Sequence, residues 1–402
     1  MNSLRLLVLL SLVGCADRSP AVSTPAPTHF EQYRQQTLAQ LERDRRFQSP
    51  DHALELEWNA PREWVAPTPN GHGVLLVHGL GDSPGSFSDI GAQLASQGYQ
   101  VRTLLLPGHG TQPADMLDVH IDEWRSTVAQ QVALLRQEVD QVYLGGFSTG
   151  ANLVLEYAMD EPDIAGLLMF SPAFKARNRF IWLLPWLAQV KPWLRDPAGP
   201  RQQQTALRYQ NVPTNGFAQF YRSSETVRDK LAAAPFERPV LVVSAAHDSV
   251  VDVQFVRDTF TKRFTHPDSR MIWYGDLPTP QHTQRLLVRS DHLPAERISQ
   301  FSHMGVLFAP DNPLYGRNGS QPVCLNGQTD EDFQRCRAGA PLWYSAWGYR
   351  EPGKVHARLT FNPYFDWQAQ IMGQVMRAAQ HRPCSERACP ALGGEAAVNP
   401  GT

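Results

Sequence analysis

A serine hydroxyl is a poor nucleophile until the backbone holds it at a sharp turn beside a base. The stretch Gly146-Phe147-Ser148-Thr149-Gly150 has the residue types such a turn needs. Glycines two before and two after Ser148 remove the Cβ atoms that would collide where a strand folds directly into a helix. The flanks suit that geometry: Val142-Tyr143-Leu144 is a strand-like apolar run, and Ala151 to Ala158 reads as a buried helix. The chemistry implied is attack of the Ser148 oxygen on a carbonyl carbon.

Such a serine needs a base, a group to orient the base, and donors for the developing oxyanion. Val240-Leu241-Val242-Val243 is an all-apolar run ending at His247-Asp248-Ser249, and Phe301-Ser302-His303-Met304-Gly305 follows later. Gly73 to Leu80 has no polar alternation, as in a central parallel strand covered on both faces. It ends in His78-Gly79, and Gly81, Ser83, Pro84 and Gly85 follow in a loop whose N–H groups can approach a substrate closely. The chain order Ser148, Asp248, His303 is that of one triad class. With Leu106-Pro107-Gly108-His109-Gly110 after a fourth strand-like run, these motifs make the chain resemble the α/β-hydrolase family over residues 71 to 306. Within that family it is similar to the monoacylglycerol-lipase and bacterial carboxylesterase branch.

The resemblance implies an α/β-hydrolase fold, a mainly parallel sheet flanked by helices with a helical cap insertion. It also implies a carboxylic ester as substrate. Ser148 is expected to be the nucleophile, His303 the base and Asp248 its orienting acid, with the backbone N–H groups of Leu80 and Thr149 as oxyanion donors. Asp252 competes with Asp248 but is well placed to N-cap the helix starting at Val253. His292 competes with His303, yet it neighbours Asp291 in a stretch that Pro294 marks as loop, whereas His303 follows the strand-like Arg297 to Phe301. His78 and His109 are expected to shape loops, and His247 to be exposed or hydrogen-bonded. The three side chains alone supply only acyl transfer, so thioesterase or acyltransferase chemistry remains a rival reading. A non-catalytic, surface-anchored binding protein is another. No cofactor is expected and no metal, since neither Cys-x-x-Cys nor His-Glu-x-x-His spacing occurs.

At 402 residues and 42% apolar, the chain can bury a large core. A net charge of −2 and the absence of any Lys/Arg tract give no footprint for a nucleic-acid partner. Arg5 precedes the short apolar stretch Leu6 to Val13, too short to span a bilayer, and Leu12-Val13-Gly14-Cys15 looks like the bacterial lipobox. The expected product is a protein lipidated at Cys15 in the bacterial cell envelope, a membrane partner through its anchor, with the outer membrane favoured because Ala16 rather than Asp follows. Cys324, Cys336, Cys384 and Cys389 then form an even set with three pairings, and their order favours Cys324–Cys336 and Cys384–Cys389.

The expected organisation is a signal peptide over 1–15, a tether and N-terminal helix over 16–50, and a hydrolase core over 51–170 and 236–382. A cap insertion occupies 171–235 and a tail 383–402. Thr28-His29-Phe30-Glu31 predicts a capping box, Leu54 to Trp58 an edge strand, and Tyr315 to Pro352 an elaborated loop on the active-site side. Oligomeric state is not legible here.

Overall fold

The computed structural model describes residues 26–199, 202–277 and 284–380; Cys15, Cys384 and Cys389 lie outside them, as do the expected signal peptide and tail. Strands β1 (Glu63–Trp64), β2 (His72–Val77), β3 (Gln100–Leu104), β4 (Gln141–Phe147), β5 (Ile164–Phe170), β6 (Val240–Ala245), β7 (Arg270–Tyr274) and β8 (Leu286–Arg289) form one sheet. Their order is β1-β3-β2-β4-β5-β6-β7-β8, with β1 antiparallel to β3 and every other pair parallel. The chain steps outward from β2 to β3 and then resumes on the other side of β2 at β4. Ligands of open α/β sheets bind at such a reversal, beyond the carboxyl ends of the strands.

Burial explains why the central runs lack alternation. Every residue of β5 and β6 is buried, as is every residue of β2 and β4 after the first. Successive side chains point to opposite faces. Leu75, Val77, Val240 and Val242 therefore join one core, and Val74, Leu76, Leu241 and Val243 the other. The first face is covered by α4 (Ile121–Leu135), α5 (Thr149–Asp160), α7 (Thr214–Ala233) and α8 (Val253–Arg263). The second is covered by α3 (Ser88–Ser96), α10 (Phe365–Gln380) and the segments around Phe301 to Phe308. The fold class read from the sequence is the one found.

Two local expectations fail at the N-terminus. Leu54 to Trp58 lies in helix α2 (His52–Asn59), not in a strand. Asp51 caps it by accepting from Leu54 N at 3.0 Å, and the apparent alternation arises because Glu55 faces inward. Its carboxylate meets Arg45 at 2.7 Å with both side chains buried, and it also accepts from the Ser49 and Gln48 amides at 2.7 and 2.8 Å. Arg45 donates onward to the carbonyls of Gly110 and Ala206, so the pair ties the first two helices to the loop after β3. The cap of α1 (Phe30–Asp44) is His29 rather than Thr28: its Nδ1 accepts from Gln32 N at 3.2 Å, while the Thr28 amide donates to Gln32 Oε1.

Between β5 and β6 lie a helical turn at Ile181–Leu183, the short α6 (Leu184–Leu187) and α7, at the expected place for the cap. The stretch from Tyr315 to Pro352 contains more than loop. Helix α9 (Asp330–Arg337) and β9 (Leu342–Ser345) fall within it, and β9 pairs in parallel with β10 (Val355–Arg358). Cys324 and Cys336 are joined by a disulfide with S–S 2.00 Å.

Candidate active site

Ser148 sits between the end of β4 and the start of α5 at φ 54°, ψ −114°, a backbone conformation that L-residues adopt only where their surroundings impose it. The Ser148 amide donates to Phe170 O at 3.0 Å, and its carbonyl accepts from Ala151 N at 3.1 Å. The flanking glycines are sterically required: a Cβ on Gly150 would lie 2.0 Å from Val77 O, and one on Gly146 would lie 2.4 Å from the Gly150 carbonyl carbon. The sequence pattern and the strained turn are the same fact seen at two levels.

Asp248 follows β6, and His303 lies on a turn against α10's side of the sheet. The structure brings them together, with His303 Nδ1 2.5 Å from Asp248 Oδ2. The other carboxylate oxygen accepts from Val250 N at 2.7 Å and Val251 N at 3.2 Å, so both oxygens of a buried acid are satisfied. The ring of His303 lies 4.9 Å from that of Phe147, the residue before Ser148, which places the imidazole beside the elbow. A direct Ser148–His303 hydrogen bond is not formed in this structure; such bonds are often long in unliganded enzymes and tighten when substrate seats. The segment before His303 is not the strand expected there. A helical turn at Pro294–Glu296 ends at Arg297 with φ 55°, and Ile298 makes only single bridges to Leu293 and Tyr344.

The loop after β2 lies directly over the serine, since a Cβ on Gly79 would be 3.2 Å from Ser148 Cβ. Leu80 follows at once. Thr149 is the first residue of α5, where an N–H has no intrahelical acceptor. Two histidines hold this loop. His78 Nε2 accepts from Leu106 N at 3.1 Å while its Nδ1 faces Gly79 O at 2.9 Å. His109 Nε2 accepts from Gly81 N at 3.0 Å while its Nδ1 faces Pro107 O at 3.2 Å. Each ring is thus a neutral imidazole with one donor and one acceptor nitrogen. Burial pushes both pKa values down, His109 well below its ordinary value with His78 beside it.

The competing residues go elsewhere. Asp252 caps α8 by accepting from Phe255 N at 3.1 Å and pairs with Lys175 at 2.9 Å. His292 Nδ1 meets Ser299 O at 3.3 Å, and its neighbour Asp291 turns to His247 instead, at 2.5 Å. That last pair was not legible in sequence. Asp291 Oδ2 also accepts from Phe301 N at 3.4 Å, so one carboxylate bridges the loop carrying Asp248 and the turn carrying His303. Ser171 was likewise missed: at φ 44° it donates through Oγ to His303 O at 2.9 Å. Only a serine directly after the apolar run of β5 hinted at it.

The Asp291 hydrogen bond raises the pKa of His247 above its ordinary value, against the lowering effect of burial. A group whose folded pKa is raised stabilises fully below its unfolded pKa, about 6.5, and that contribution is lost as pH climbs through the folded value. The melting-temperature gap between wild type and His247→Gln is therefore expected to be widest in mildly acidic buffer and to shrink above neutrality. A gap that grows with pH would contradict this assignment of charge.

Among the described residues no group of three His, Cys, Asp or Glu side chains could hold a metal ion, and no helix is long and apolar enough to cross a membrane.

A family model described as serine aminopeptidase, S33 matches residues 69–277. The thermostable monoacylglycerol lipase of Bacillus sp. (strain H-257) is 30% identical over 185 residues, which are 44% of this chain and 71% of that protein. The carboxylesterase of Bacillus subtilis (strain 168) is 20% identical over 206 residues, 50% of this chain and 82% of that protein. A crystal structure of Paleococcus ferrophilus monoacylglycerol lipase aligns with TM-score 0.43 and 21% identity, covering 53% of this chain and 87% of that one. The chain belongs to the serine aminopeptidase S33 family of α/β-hydrolases.

Proposed function

We propose that this protein hydrolyses carboxylic esters, lipid esters of the monoacylglycerol kind among them, through Ser148, His303 and Asp248. The observation that carries the reading is the Asp248–His303 contact of 2.5 Å beside a serine held at φ 54°. Ser148 Oγ bonds to the carbonyl carbon as His303 Nε2 takes its proton. The C–O bond to the alcohol then breaks and His303 returns that proton to the leaving oxygen. Water, deprotonated by the same imidazole, attacks the acyl-enzyme and releases the acid. Asp248 holds Nδ1–H and stabilises the imidazolium. The N–H groups of Leu80 and Thr149 receive the oxyanion, and loss of one such donor costs about 3 kcal/mol. The monoacylglycerol lipase and carboxylesterase relatives support the ester class.

Lipidation at Cys15 and an outer-membrane location belong to the same reading. Phe180, Trp182, Trp186 and Val190 on the segment after β5 support contact with lipid, being 55, 52, 71 and 79% exposed where a soluble surface would bury them. A lipoprotein signal-peptidase inhibitor should leave an uncleaved precursor in expressing cells; unaltered processing would remove the anchor. A series of 4-nitrophenyl esters of rising chain length, with a matched thioester, tests the activity itself. Oxyester turnover is expected throughout, and a chain that cleaves only the thioester would overturn the ester assignment.

A further inference from the structure

The chain leaves β5 through a short stretch, Phe170 to Arg177, that is hydrogen-bonded to the surroundings of Ser148, Asp248 and His303 alike. Phe170 O accepts from Ser148 N at 3.0 Å, and Ala173 N donates to Ser148 O at 3.3 Å. Ser171 N donates to Val243 O at 2.7 Å, on the strand that leads to Asp248. Farther on, Arg177 N donates to Val250 O at 3.0 Å and Lys175 O accepts from Asp252 N at 2.8 Å. That pairing grips the loop whose Val250 and Val251 amides donate to the Asp248 carboxylate. His303 is reached by a side chain: Ser171 Oγ donates to its carbonyl at 2.9 Å.

Serine is an unexpected residue at 171. The position is fully buried, and its φ of 44° lies in the left-handed region that glycine enters freely and other residues do not. Among the described residues, Ser148, Ser171 and Arg297 are the non-glycine residues with positive φ. Ser148 is the elbow itself and Arg297 precedes the turn of His303, so backbone strain gathers where the triad is assembled. Glycine would suit the backbone at 171 better. What serine adds is a donor for His303 O, the one hydrogen bond that carbonyl accepts among the described residues. The turn has further ties that keep it folded without this bond. Phe301 N donates to Asp291 Oδ2 at 3.4 Å, Met304 N to Ser302 Oγ at 3.2 Å, and Gly305 N to Ser302 O at 3.1 Å. The Ser302 hydroxyl in turn donates to Leu359 O.

We infer that Ser171 is a positioning residue of the hydrolytic site: by holding the His303 carbonyl, its hydroxyl sets where the imidazole stands relative to Ser148. This rests on the hydrolase reading for its kinetic consequence, and one arm of the test does not need turnover. The first arm compares Ser171→Ala and Ser171→Gly in the full chain on a 4-nitrophenyl ester. A group displaced by about 1 Å at a reactive centre loses up to about 100-fold in rate. Both variants are expected to lose about 10- to 100-fold in kcat with KM unchanged, since the substrate's own contacts are untouched. Glycine relieves the strained backbone, so Ser171→Gly should melt above Ser171→Ala. A role in stability alone predicts that glycine restores what alanine loses.

The second arm is proton NMR of the unliganded chain. The His303 Nδ1–H, held by Asp248 at 2.5 Å, should resonate far downfield of the amides and be identified by its loss in Asp248→Asn. Ser171→Ala should shift that resonance. Equal losses of kcat in two variants of unequal melting temperature, together with the shifted resonance, are the expected result. Wild-type kcat in Ser171→Ala, activity restored in Ser171→Gly, a loss carried by KM, or a resonance that stays in place would each overturn the proposal. If the resonance shifts but the wild-type chain cleaves no ester, Ser171 still positions His303 and the hydrolase reading fails.

Discussion

Ser148→Ala should abolish ester turnover while leaving the melting temperature almost unchanged. The hydroxyl makes no hydrogen bond with the described residues that its removal would break, and the elbow is imposed by backbone contacts that alanine keeps. These are the Ser148 amide to Phe170 O at 3.0 Å and the Ser148 carbonyl from Ala151 N at 3.1 Å. What disappears is the nucleophile. Without it the oxyanion donors and binding contacts can supply only a residual acceleration, while the acyl-enzyme route is closed. The expected loss is of the order of 10⁶-fold in kcat, the scale seen when a triad serine is removed. A steady-state assay on a 4-nitrophenyl ester, with thermal melting in parallel, reads both halves. A variant that melts much earlier would point instead to a structural serine at a tight turn.

Asp248→Asn is the second large effect, and it separates orientation from presence. The amide keeps an oxygen for Val250 N and Val251 N, so the loop after β6 should hold its shape. The oxygen that meets His303 Nδ1 at 2.5 Å can then become an N–H donor, and the imidazole must flip to the tautomer that offers its remaining N–H to the serine. A base in that tautomer cannot accept the proton. A loss of about 10³- to 10⁴-fold in kcat with little change in KM is expected, since the substrate's own contacts are untouched. Asp252→Asn is the control: its carboxylate caps α8 and pairs with Lys175, so only stability should move. If Asp252→Asn lost the activity and Asp248→Asn kept it, the two acids would have to exchange roles.

The parts that sequence made legible are those where one residue type has one physical explanation. Glycines at 146 and 150 could be read because a Cβ there would strike backbone at 2.4 and 2.0 Å, and no neighbouring change relieves that. The unbroken apolar runs at 74–77, 142–144, 164–170 and 240–243 could be read because burial on both faces of a sheet favours nothing else. Leu54 to Trp58 was misread because an i, i+4 pair of apolar residues around a buried Glu55 mimics alternation. Glutamate reads as exposed until its partner Arg45, ten residues earlier, is known. Arg297 to Phe301 failed for a related reason: its apolar members are buried, but the chain turns at Arg297 and lies against a separate strand, β9, far away in sequence.

The site shows the same division. Ser148 carries its own local signature, whereas Asp248 and His303 were legible only through chain order and the ends of apolar runs. The His247–Asp291 bridge and the Ser171 contact link residues 44 and 132 positions apart, with no periodicity between them. Neither could be inferred without the fold.

Covalent labelling by a fluorophosphonate probe tests the central claim most directly, because that reagent needs a serine made nucleophilic by a neighbouring base. The purified full chain should take up one equivalent, located by peptide mapping on Ser148, and His303→Ala should slow its uptake severely. Uptake at another serine, or none in a chain that is folded by thermal melting, would contradict the account.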